Sequence, residues 1–275
     1  MSLGLPIAFA LLFWWFSTGV IFYLDSLPTR TFKWSMAAAT MLFAAALVCL
    51  WQTSGDRSLP AVYAAFSSAV VAWGWQEMSL YMGYVTGPRK HRCAEGCSGW
   101  RHFGHAIAAN LWHEIAIIAT AAVIVVLTWN AANHAGVWAF LLLWGMHLSA
   151  RLNVFLGVRN VSEEFVPPHM EVLKSFLTRK PMNLLFPVSV TAATVIAVML
   201  FTWAATESGT AARTEYLLLA SLAALGVLEH WLLVLPLPVE KLFAWSLSRR
   251  RQKAANKAQP GRPLETTHPR LILTR

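Results

Sequence analysis

Glutamate, histidine and arginine side chains lie inside long apolar runs of this 275-residue sequence. Ionisable groups in an apolar helix are costly unless they face a protein interior or a cavity, so they mark a candidate site. We expect a cofactor-binding role for Glu77, His113, Glu114, His147, Arg151, Glu229 and His230. No catalytic residue is assigned, because the sequence contains no glycine-rich phosphate loop, nucleophile elbow or repeated histidine box.

The spacing of these residues gives them a similar depth and partly shared helix faces. Because successive helices alternate in direction and rise by about 1.5 Å per residue, these residues lie roughly 8–17 Å below the same, predicted cytoplasmic, face of the membrane. His147 and Arg151 are four residues apart and share a face, whereas the neighbours Glu229 and His230 diverge by about 100°. Gly226 leaves room for a neighbouring helix or a flat ligand.

Three interpretations of this polar layer are open. The first is a structural network, in which Arg151 neutralises a glutamate and the histidines donate to backbone carbonyls. The second is a metal site for iron, zinc or manganese, built from the three glutamates and some of the histidines. The third is a porphyrin or pigment pocket, in which a histidine ligates the central metal and tryptophans line the walls. Those tryptophans are Trp75, Trp112 and Trp144.

A second group of metal-binding residue types lies in a basic segment at the start of the fourth apolar run. It comprises His91, Cys93, Cys97, His102 and His105. Cysteine and histidine side chains this close together can hold zinc or another metal. Their spacing matches no standard zinc finger, so we expect loop residues here, with a metal site as the alternative.

Seven apolar runs are long enough to carry these residues across a bilayer, whose hydrocarbon core takes about 20 residues of helix. They span residues 5–24, 33–52, 60–85, 103–128, 135–157, 184–205 and 214–235. Of the 22 lysines and arginines, nineteen lie in alternate connecting segments and in the C-terminal tail, on one side of the predicted membrane. The positive-inside rule therefore predicts an N-terminus outside and a cytoplasmic C-terminus.

Composition favours this all-α, polytopic membrane fold over a soluble one. Hydrophobic residues make up 57% of the chain and charged residues 13%, which is too apolar for an ordinary soluble domain. The net charge of +9 comes mainly from loops and tail, so it favours membrane lipid, and not nucleic acid, as a partner. We predict a seven-helix transmembrane domain over residues 1–247 and a basic, disordered cytoplasmic tail over residues 248–275. Three cysteines imply no disulfide framework.

Three long motifs stand out in the connecting segments and the helices beside them. They are GWQEMSLYMGYVTGPRK at 74–90, SGWRHFGHAIAANLWHEIAI at 98–117 and ARLNVFLGVRNVSEEFVPPHM at 150–170. Together they resemble the PuhE family, known as photosynthetic complex assembly protein 2, and the resemblance covers nearly the whole chain up to the basic tail. The residues that match the family pattern are Glu77, His113, Glu114, His147, Arg151, Asn153, Glu163 and Glu164.

The resemblance implies a phototrophic bacterium and a multi-pass protein of its inner (cytoplasmic or intracytoplasmic) membrane. It implies a role in assembling the photosynthetic reaction centre and light-harvesting complex, with reaction-centre and antenna subunits or other assembly factors as partners. We therefore expect an assembly factor that binds or delivers bacteriochlorophyll or a precursor. The alternative is a membrane metalloenzyme, an oxidoreductase with a Glu/His metal site that acts on a pigment or quinone precursor. Glu163 and Glu164 are expected in a solvated loop, with a docking surface for basic partners as the alternative.

Overall fold

Seven long α-helices account for most of the computed structural model, which describes residues 3–94, 96–161, 163 and 166–237. The helices are α1 Gly4–Asp25, α2 Phe32–Thr53, α3 Leu59–Tyr81, α4 Gly99–Leu127, α5 Ala135–Leu156, α6 Leu185–Thr206 and α7 Thr210–Val234. Two 3₁₀-helices, Thr29–Thr31 and Pro168–Phe176, lie in the connections. The β structure of the described residues is limited to an isolated bridge between Val158 and Arg179. The predicted all-α fold is confirmed for this part of the chain.

The helix ends agree with the seven apolar runs to within four residues, the largest differences being at Tyr81, Gly99 and Thr210. Of the described helices, 6 are long and apolar enough to cross a membrane, and they indicate a multi-pass membrane protein. The remaining helix is α3, so its passage across the membrane and the orientation of the termini stay predictions. The predicted tail at 248–275 and the domain boundary at 247 lie outside the described residues.

The polar character of α3 follows from its central position, since it packs against α1, α2, α5 and α7. About half of its residues are buried, among them Ser68, Gln76 and Ser79. Gln76 Nε2 donates to Thr120 Oγ1 on α4 at 2.7 Å, and Ser79 Oγ donates to the Gln76 carbonyl at 2.8 Å. Polar groups can be buried when protein partners replace water, so this helix needs less apolar surface than one that faces lipid.

The apolar core lies between α3, α5 and α7, where Phe66, Phe140 and Leu218 are fully buried. The outer helices turn large apolar side chains outward, for example Leu12, Met41, Val126 and Val188. A water-soluble protein rarely exposes so much contiguous apolar surface. An outer surface of this kind fits contact with lipid tails around the whole bundle.

The connection between α3 and α4 folds back and lies beside the backbone of α4. The Thr86 carbonyl accepts a hydrogen bond from the His113 amide at 2.9 Å, and the Arg89 amide donates to the Ala108 carbonyl at 3.2 Å. Gly87 lies between these two bonds, and a Cβ there would stand 2.1 Å from the Ala108 carbonyl oxygen. Glycine permits such a close backbone approach because it has no side chain. The contact fixes the connection against the turn of α4 that carries His113.

The 3₁₀-helix Pro168–Phe176 covers the same end of the bundle. His169 Nε2 lies 2.7 Å from the Tyr81 carbonyl oxygen at the end of α3, so this ring nitrogen is the donor. Arg92 and Glu171 form an exposed ion pair at 2.9 Å. These contacts join the long α5–α6 connection to the α3–α4 connection and close one end of the helix bundle.

Candidate functional site

His147 stands at the centre of a polar cluster that three helices build inside the bundle. Its Nδ1 lies 3.3 Å from Glu77 Oε1 on α3, and its Nε2 lies 3.4 Å from Arg151 Nη1, one turn further along α5. Its ring centroid is 6.1 Å from that of His113 on α4. The structure therefore brings these four candidate residues together, and we call them, with Glu114, the polar cluster.

Arg151 and Glu114 form the charged part of the polar cluster. Arg151 Nη1 donates to Glu114 Oε1 at 2.5 Å, and the two side chains are 29% and 24% exposed. This pairing is the one that the structural-network interpretation expects. Because a guanidinium only donates, Nε2 of His147 is an acceptor, and the proton of the neutral ring lies on Nδ1, facing Glu77. The tautomer is assigned from these partners.

His113 is fully buried, yet neither of its ring nitrogens has a hydrogen-bond partner among the described residues. Glu77 Oε1 likewise makes no hydrogen bond there, despite its contact with His147. Buried polar atoms without partners are rare, and each calls for an explanation such as a bound ion or water. Ligand atoms of Glu77, His113 and His147 all lie within 4.8 Å of one another. One carboxylate and two imidazoles at this separation suit a zinc or iron ion.

An apolar cavity of about 570 Å³ opens beside the polar cluster, between α3, α4, α5 and the 3₁₀-helix Pro168–Phe176. Glu77, Glu114, His147 and Arg151 lie at its wall, and most of its other lining residues are aliphatic or aromatic. We call this space the main cavity. It combines a long apolar surface with one polar end, which is the usual form of a site for a small organic molecule.

A smaller cavity of about 190 Å³ lies on the other side of Glu77 and His147, between α1, α3, α5 and α7. Glu229 lines this cavity and faces the polar cluster across it. Trp73 also lines it, with its ring edge-on to that of His147 at 5.1 Å between centroids. The sequence alone does not mark Trp73 as a site residue, because an isolated tryptophan in an apolar run does not show which way its helix is turned.

His230 is engaged elsewhere, although it follows Glu229 directly. Its Nδ1 lies 2.7 Å from the Gly226 carbonyl oxygen and its Nε2 lies 2.8 Å from Ser149 Oγ, so the ring donates to the carbonyl and accepts from the hydroxyl. The contact with Ser149 joins α7 to α5, whereas the bond to the Gly226 carbonyl lies within α7. A Cβ at Gly226 would stand 2.8 Å from Met146 Cγ, so this glycine admits a neighbouring helix, one of the two uses that its position predicts.

The three tryptophans expected to line a pigment pocket lie elsewhere in the described structure. Trp75 donates to Thr40 Oγ1 at 3.0 Å and stacks on Phe43, so it faces α2. Trp112 is 51% exposed on the outer side of α4. Trp144 packs against the apolar core. Neither the main cavity nor the smaller one is bounded by these three side chains.

Other residues of the family pattern serve the connections between helices. Asn153 Nδ2 donates to Ser189 Oγ at 2.9 Å and so joins α5 to α6. Glu163 pairs with Arg179 at 2.9 Å, within the α5–α6 connection itself. Glu164 lies outside the described residues, so the alternative of an acidic docking surface stays a prediction.

Two polar residues that sequence reasoning missed support the polar cluster. Gln76 links α3 to Thr120 on α4, directly beside Glu77. Asn110 lines the main cavity, donates to the Ala106 carbonyl at 3.2 Å, and leaves its Oδ1 without a hydrogen-bond partner in the described part of the chain. Each is a lone amide side chain in an apolar run, and that pattern would have identified both residues from the sequence.

A further cavity of about 650 Å³ lies at the opposite end of α5 and α7. Arg57, Glu207 and Glu215 provide its charged groups. It contains no member of the polar cluster among its lining residues, so we place the candidate site at the main cavity, although that space is somewhat smaller.

The chain is similar to a protein family and to one further protein. A family model described as "Protein of unknown function (DUF3623)" matches residues 1–254. An "Uncharacterized 30.4 kDa protein in puhA 5'region" of Rhodobacter capsulatus is 35% identical over 251 residues, which cover 90% of this chain and 92% of that protein. No solved structure matches the chain.

Proposed function

This chain belongs to the DUF3623 family, and we propose that it is a membrane assembly factor for the bacterial photosynthetic reaction centre and light-harvesting complex. In this proposal it holds bacteriochlorophyll or a precursor in the main cavity, beside His147. The name of its Rhodobacter capsulatus relative refers to the puhA 5′ region, which accords with a role in photosynthesis. The assembly role itself comes from the resemblance of the three motifs to the PuhE family.

The observation that carries the proposal is the form of the main cavity, apolar along its walls and polar at one end. Its volume of about 570 Å³ falls within the range of about 300–1,000 Å³ typical of small-molecule sites. A bacteriochlorin would supply, when bound, a flat apolar ring with carbonyl groups at its edge and a central metal that an imidazole can bind. The residues present fit such a molecule, because His147 offers an imidazole and Arg151 a hydrogen-bond donor.

Glu77 holds His147 in the tautomer that this role requires. Glu77 lies beside Nδ1, which carries the ring proton, so the lone pair is on Nε2, which faces Arg151 Nη1 at 3.4 Å; Arg151 would have to turn away before Nε2 could bind a metal. Arg151 lies between Nε2 and Glu114, and its ion pair with that carboxylate neutralises the guanidinium inside the bundle. A neutral imidazole oriented by a carboxylate is the usual form of a metal-binding histidine.

The main cavity opens sideways, between α4 and α5. Ile107 on α4 and Leu148 on α5 line it and are 44% and 41% exposed. Both side chains lie on the apolar outer surface of the bundle, where lipid tails are expected. A water-insoluble pigment dissolved in the bilayer can enter by this route without crossing water, which supports a lipid-soluble ligand.

We place all seven helices across the bacterial inner membrane, with the N-terminus outside and the basic tail in the cytoplasm. The distribution of lysine and arginine supports this orientation. The burial of α3 by its neighbours supports it as the seventh span, since its polar residues then avoid lipid. Reaction-centre and antenna subunits or other assembly factors would dock on the connections that are exposed to the cytoplasm.

Purification of the full-length protein from phototrophic cells, and from cells that make no bacteriochlorophyll, tests the proposal. We expect bacteriochlorin absorption, with associated reaction-centre or antenna subunits, in the first preparation alone. His147→Ala should remove most of this absorption, whereas His134→Ala, at the opposite end of α5, should leave it unchanged. Colourless preparations without associated subunits from both kinds of cell would reject the proposal.

A membrane metalloenzyme is the second candidate, an oxidoreductase acting on a pigment or quinone precursor. It is favoured by the approach of Glu77, His113 and His147 to within 4.8 Å and by the unpartnered nitrogens of His113 within the described residues. One iron, zinc or manganese per chain that disappears in His113→Ala and in His147→Ala would support it. The metal content is measured in proteins that also carry Cys97→Ser, so that metal bound by the cysteines of the α3–α4 connection is not counted. A folded, metal-free protein would reject this candidate.

A further inference from the structure

Four metal-binding side chains converge outside the polar cluster, where the α3–α4 connection enters α4. His105 Nδ1 lies 3.2 Å from Cys93 Sγ and 3.4 Å from Cys97 Sγ. His102 Nδ1 lies 3.2 Å from Cys93 Sγ. We propose that Cys93, Cys97, His102 and His105 bind a zinc ion that fixes this connection to the end of the helix bundle.

The separation of the ligand atoms fits a tetrahedral site. Zinc binds thiolate sulfur at about 2.3 Å and imidazole nitrogen at about 2.0–2.1 Å, which puts sulfur and nitrogen about 3.5 Å apart around the ion. Three of the four sulfur–nitrogen distances here are 3.2, 3.4 and 3.2 Å, and a ring nitrogen of His102 lies within 4.8 Å of Cys97 Sγ. A small outward movement of each side chain would therefore admit the ion. Two thiolates also neutralise its charge, which a basic segment with Arg89 and Arg101 requires.

Backbone geometry brings the four side chains to one point. Gly96 has a φ of +76° and Gly99 a φ of +60°, and these left-handed conformations turn the chain from the cysteines into α4. His102 and His105 are three residues apart in the first turns of α4 and so lie on one face of that helix. The spacing of the four ligands matches no standard zinc finger, because the turns at Gly96 and Gly99 set it. Spacing alone therefore predicts loop residues here.

Contacts around the four ligands hold them against the rest of the bundle. The Cys93 amide donates to Ser175 Oγ at 3.4 Å, which joins the connection to the 3₁₀-helix Pro168–Phe176. The His102 ring stacks on Phe155 of α5 at 5.2 Å and lies 5.5 Å from the Phe176 ring. Both phenylalanines line the main cavity. The proposed zinc site is therefore one side chain away from the wall of the main cavity.

Four protein ligands leave no open coordination position, so the role that fits this site is structural. Binding of the ion would contribute directly to the stability of the connection, because the ligands come from two segments that must stay together. Lys90 and Arg92 lie in this connection and are exposed, so trypsin cleavage there reports how firmly it is held. We expect a zinc chelator to accelerate this cleavage.

Metal analysis of the full-length protein in detergent tests the proposal. The protein is purified with a tag that contains no histidine and kept reduced throughout. We expect Cys97→Ser and His105→Ala each to lower the zinc content by one ion per chain, and Cys49→Ser and His91→Ala to leave it unchanged. Cys49 lies in α2 and His91 is exposed, so neither belongs to the proposed site. The two control variants make the same kinds of substitution, Cys to Ser and His to Ala, at positions outside it.

A second measurement needs no variant. Cobalt(II) exchanged into the wild-type protein should give the absorption of a tetrahedral thiolate complex, and trypsin cleavage at Lys90 and Arg92 should be slow until chelator is added. Zinc content that stays the same in Cys97→Ser and His105→Ala would overturn the proposal. A folded wild-type protein that contains no metal would also overturn it, as would iron or copper bound in place of zinc. A measured mass that shows a Cys93–Cys97 disulfide would do the same. None of these readouts depends on bound pigment, so failure of the zinc site and failure of the proposed function are distinguishable.

Discussion

The backbone amide of His113, in the middle of α4, donates to the carbonyl oxygen of Thr86, 2.9 Å away in the preceding connection. An amide at such a position ordinarily donates to the carbonyl four residues earlier in its own helix. A chain segment that inserts beside a helix in this way is a recognised cause of local distortion. The position of His113 in the polar cluster thus depends on the fold of a connection outside the helix.

Gly87 should not tolerate even a methyl group, because a Cβ there would meet Ala108 O at 2.1 Å and Ala109 C at 2.6 Å. Both are backbone atoms, so no change of rotamer relieves the clash. We expect Gly87→Ala to destabilise the protein by about 1–3 kcal/mol or more and to weaken ligand binding at the main cavity. Gly104→Ala, in α4 with nothing within 4 Å of its Cβ, is the matched control and should be neutral or stabilising. Thermal unfolding in detergent measures the stability of both variants, and equal stability would contradict the close backbone approach at Gly87.

Arg151 and Glu114 should be strongly coupled, because each neutralises the other in a setting that is mostly shielded from water. Glu114→Gln alone leaves the guanidinium without its charged partner, and Arg151→Met alone leaves the carboxylate without one. Each variant should lower the free energy of unfolding by roughly 1–3 kcal/mol. The double variant should cost less than the sum of the two. A double-mutant cycle of unfolding free energies measures the coupling. Additive losses would show that the pair is not coupled.

His230 should prove structural, because its two nitrogens already bind the Gly226 carbonyl and the Ser149 hydroxyl. His230→Ala leaves a cavity between α5 and α7 and removes the acceptor of the Ser149 hydroxyl, and we expect a loss of roughly 1–3 kcal/mol. The absorption per folded chain should be unaffected, in contrast to His147→Ala. Thermal unfolding and an absorption spectrum of the same preparation separate the two effects. Loss of pigment without loss of stability would place His230 in the site.

The passage of α3 across the membrane should be visible in reporter fusions. We expect alkaline phosphatase activity after Gly55, Asn130 and Ser208, and fluorescence of a fused green fluorescent protein after Arg92 and Lys180, because basic connections remain in the cytoplasm. Fusions after Gly55 and Arg92 flank α3 and decide its topology. The same response at both positions would show that α3 does not span the membrane.

The helices could be predicted closely because bilayer thickness and helix rise set their lengths, and the difference at Tyr81 shows the limit. The apolar run continues beyond Tyr81 through Met82, Tyr84 and Val85, but the chain turns at Gly83, whose φ is +84°. Apolar composition alone does not distinguish a helix end from a connection that folds back into the protein. The proposed Cys/His zinc site could not be predicted for a similar reason, since turns at Gly96 and Gly99 bring its ligands together.

By itself, the sequence predicted where the long helices lie; 6 of the described helices are apolar enough to cross a membrane, and the depth of their ionisable residues stays a prediction. The tertiary structure alone decided which side chains meet. His147 contacts Glu77 and Trp73, whereas Trp75 and His230 turn toward other helices. The physical reason is that a helix apolar on nearly every face has no periodic pattern to define its inner side. Its rotation about its own axis is set by packing against its neighbours, which a single sequence does not display.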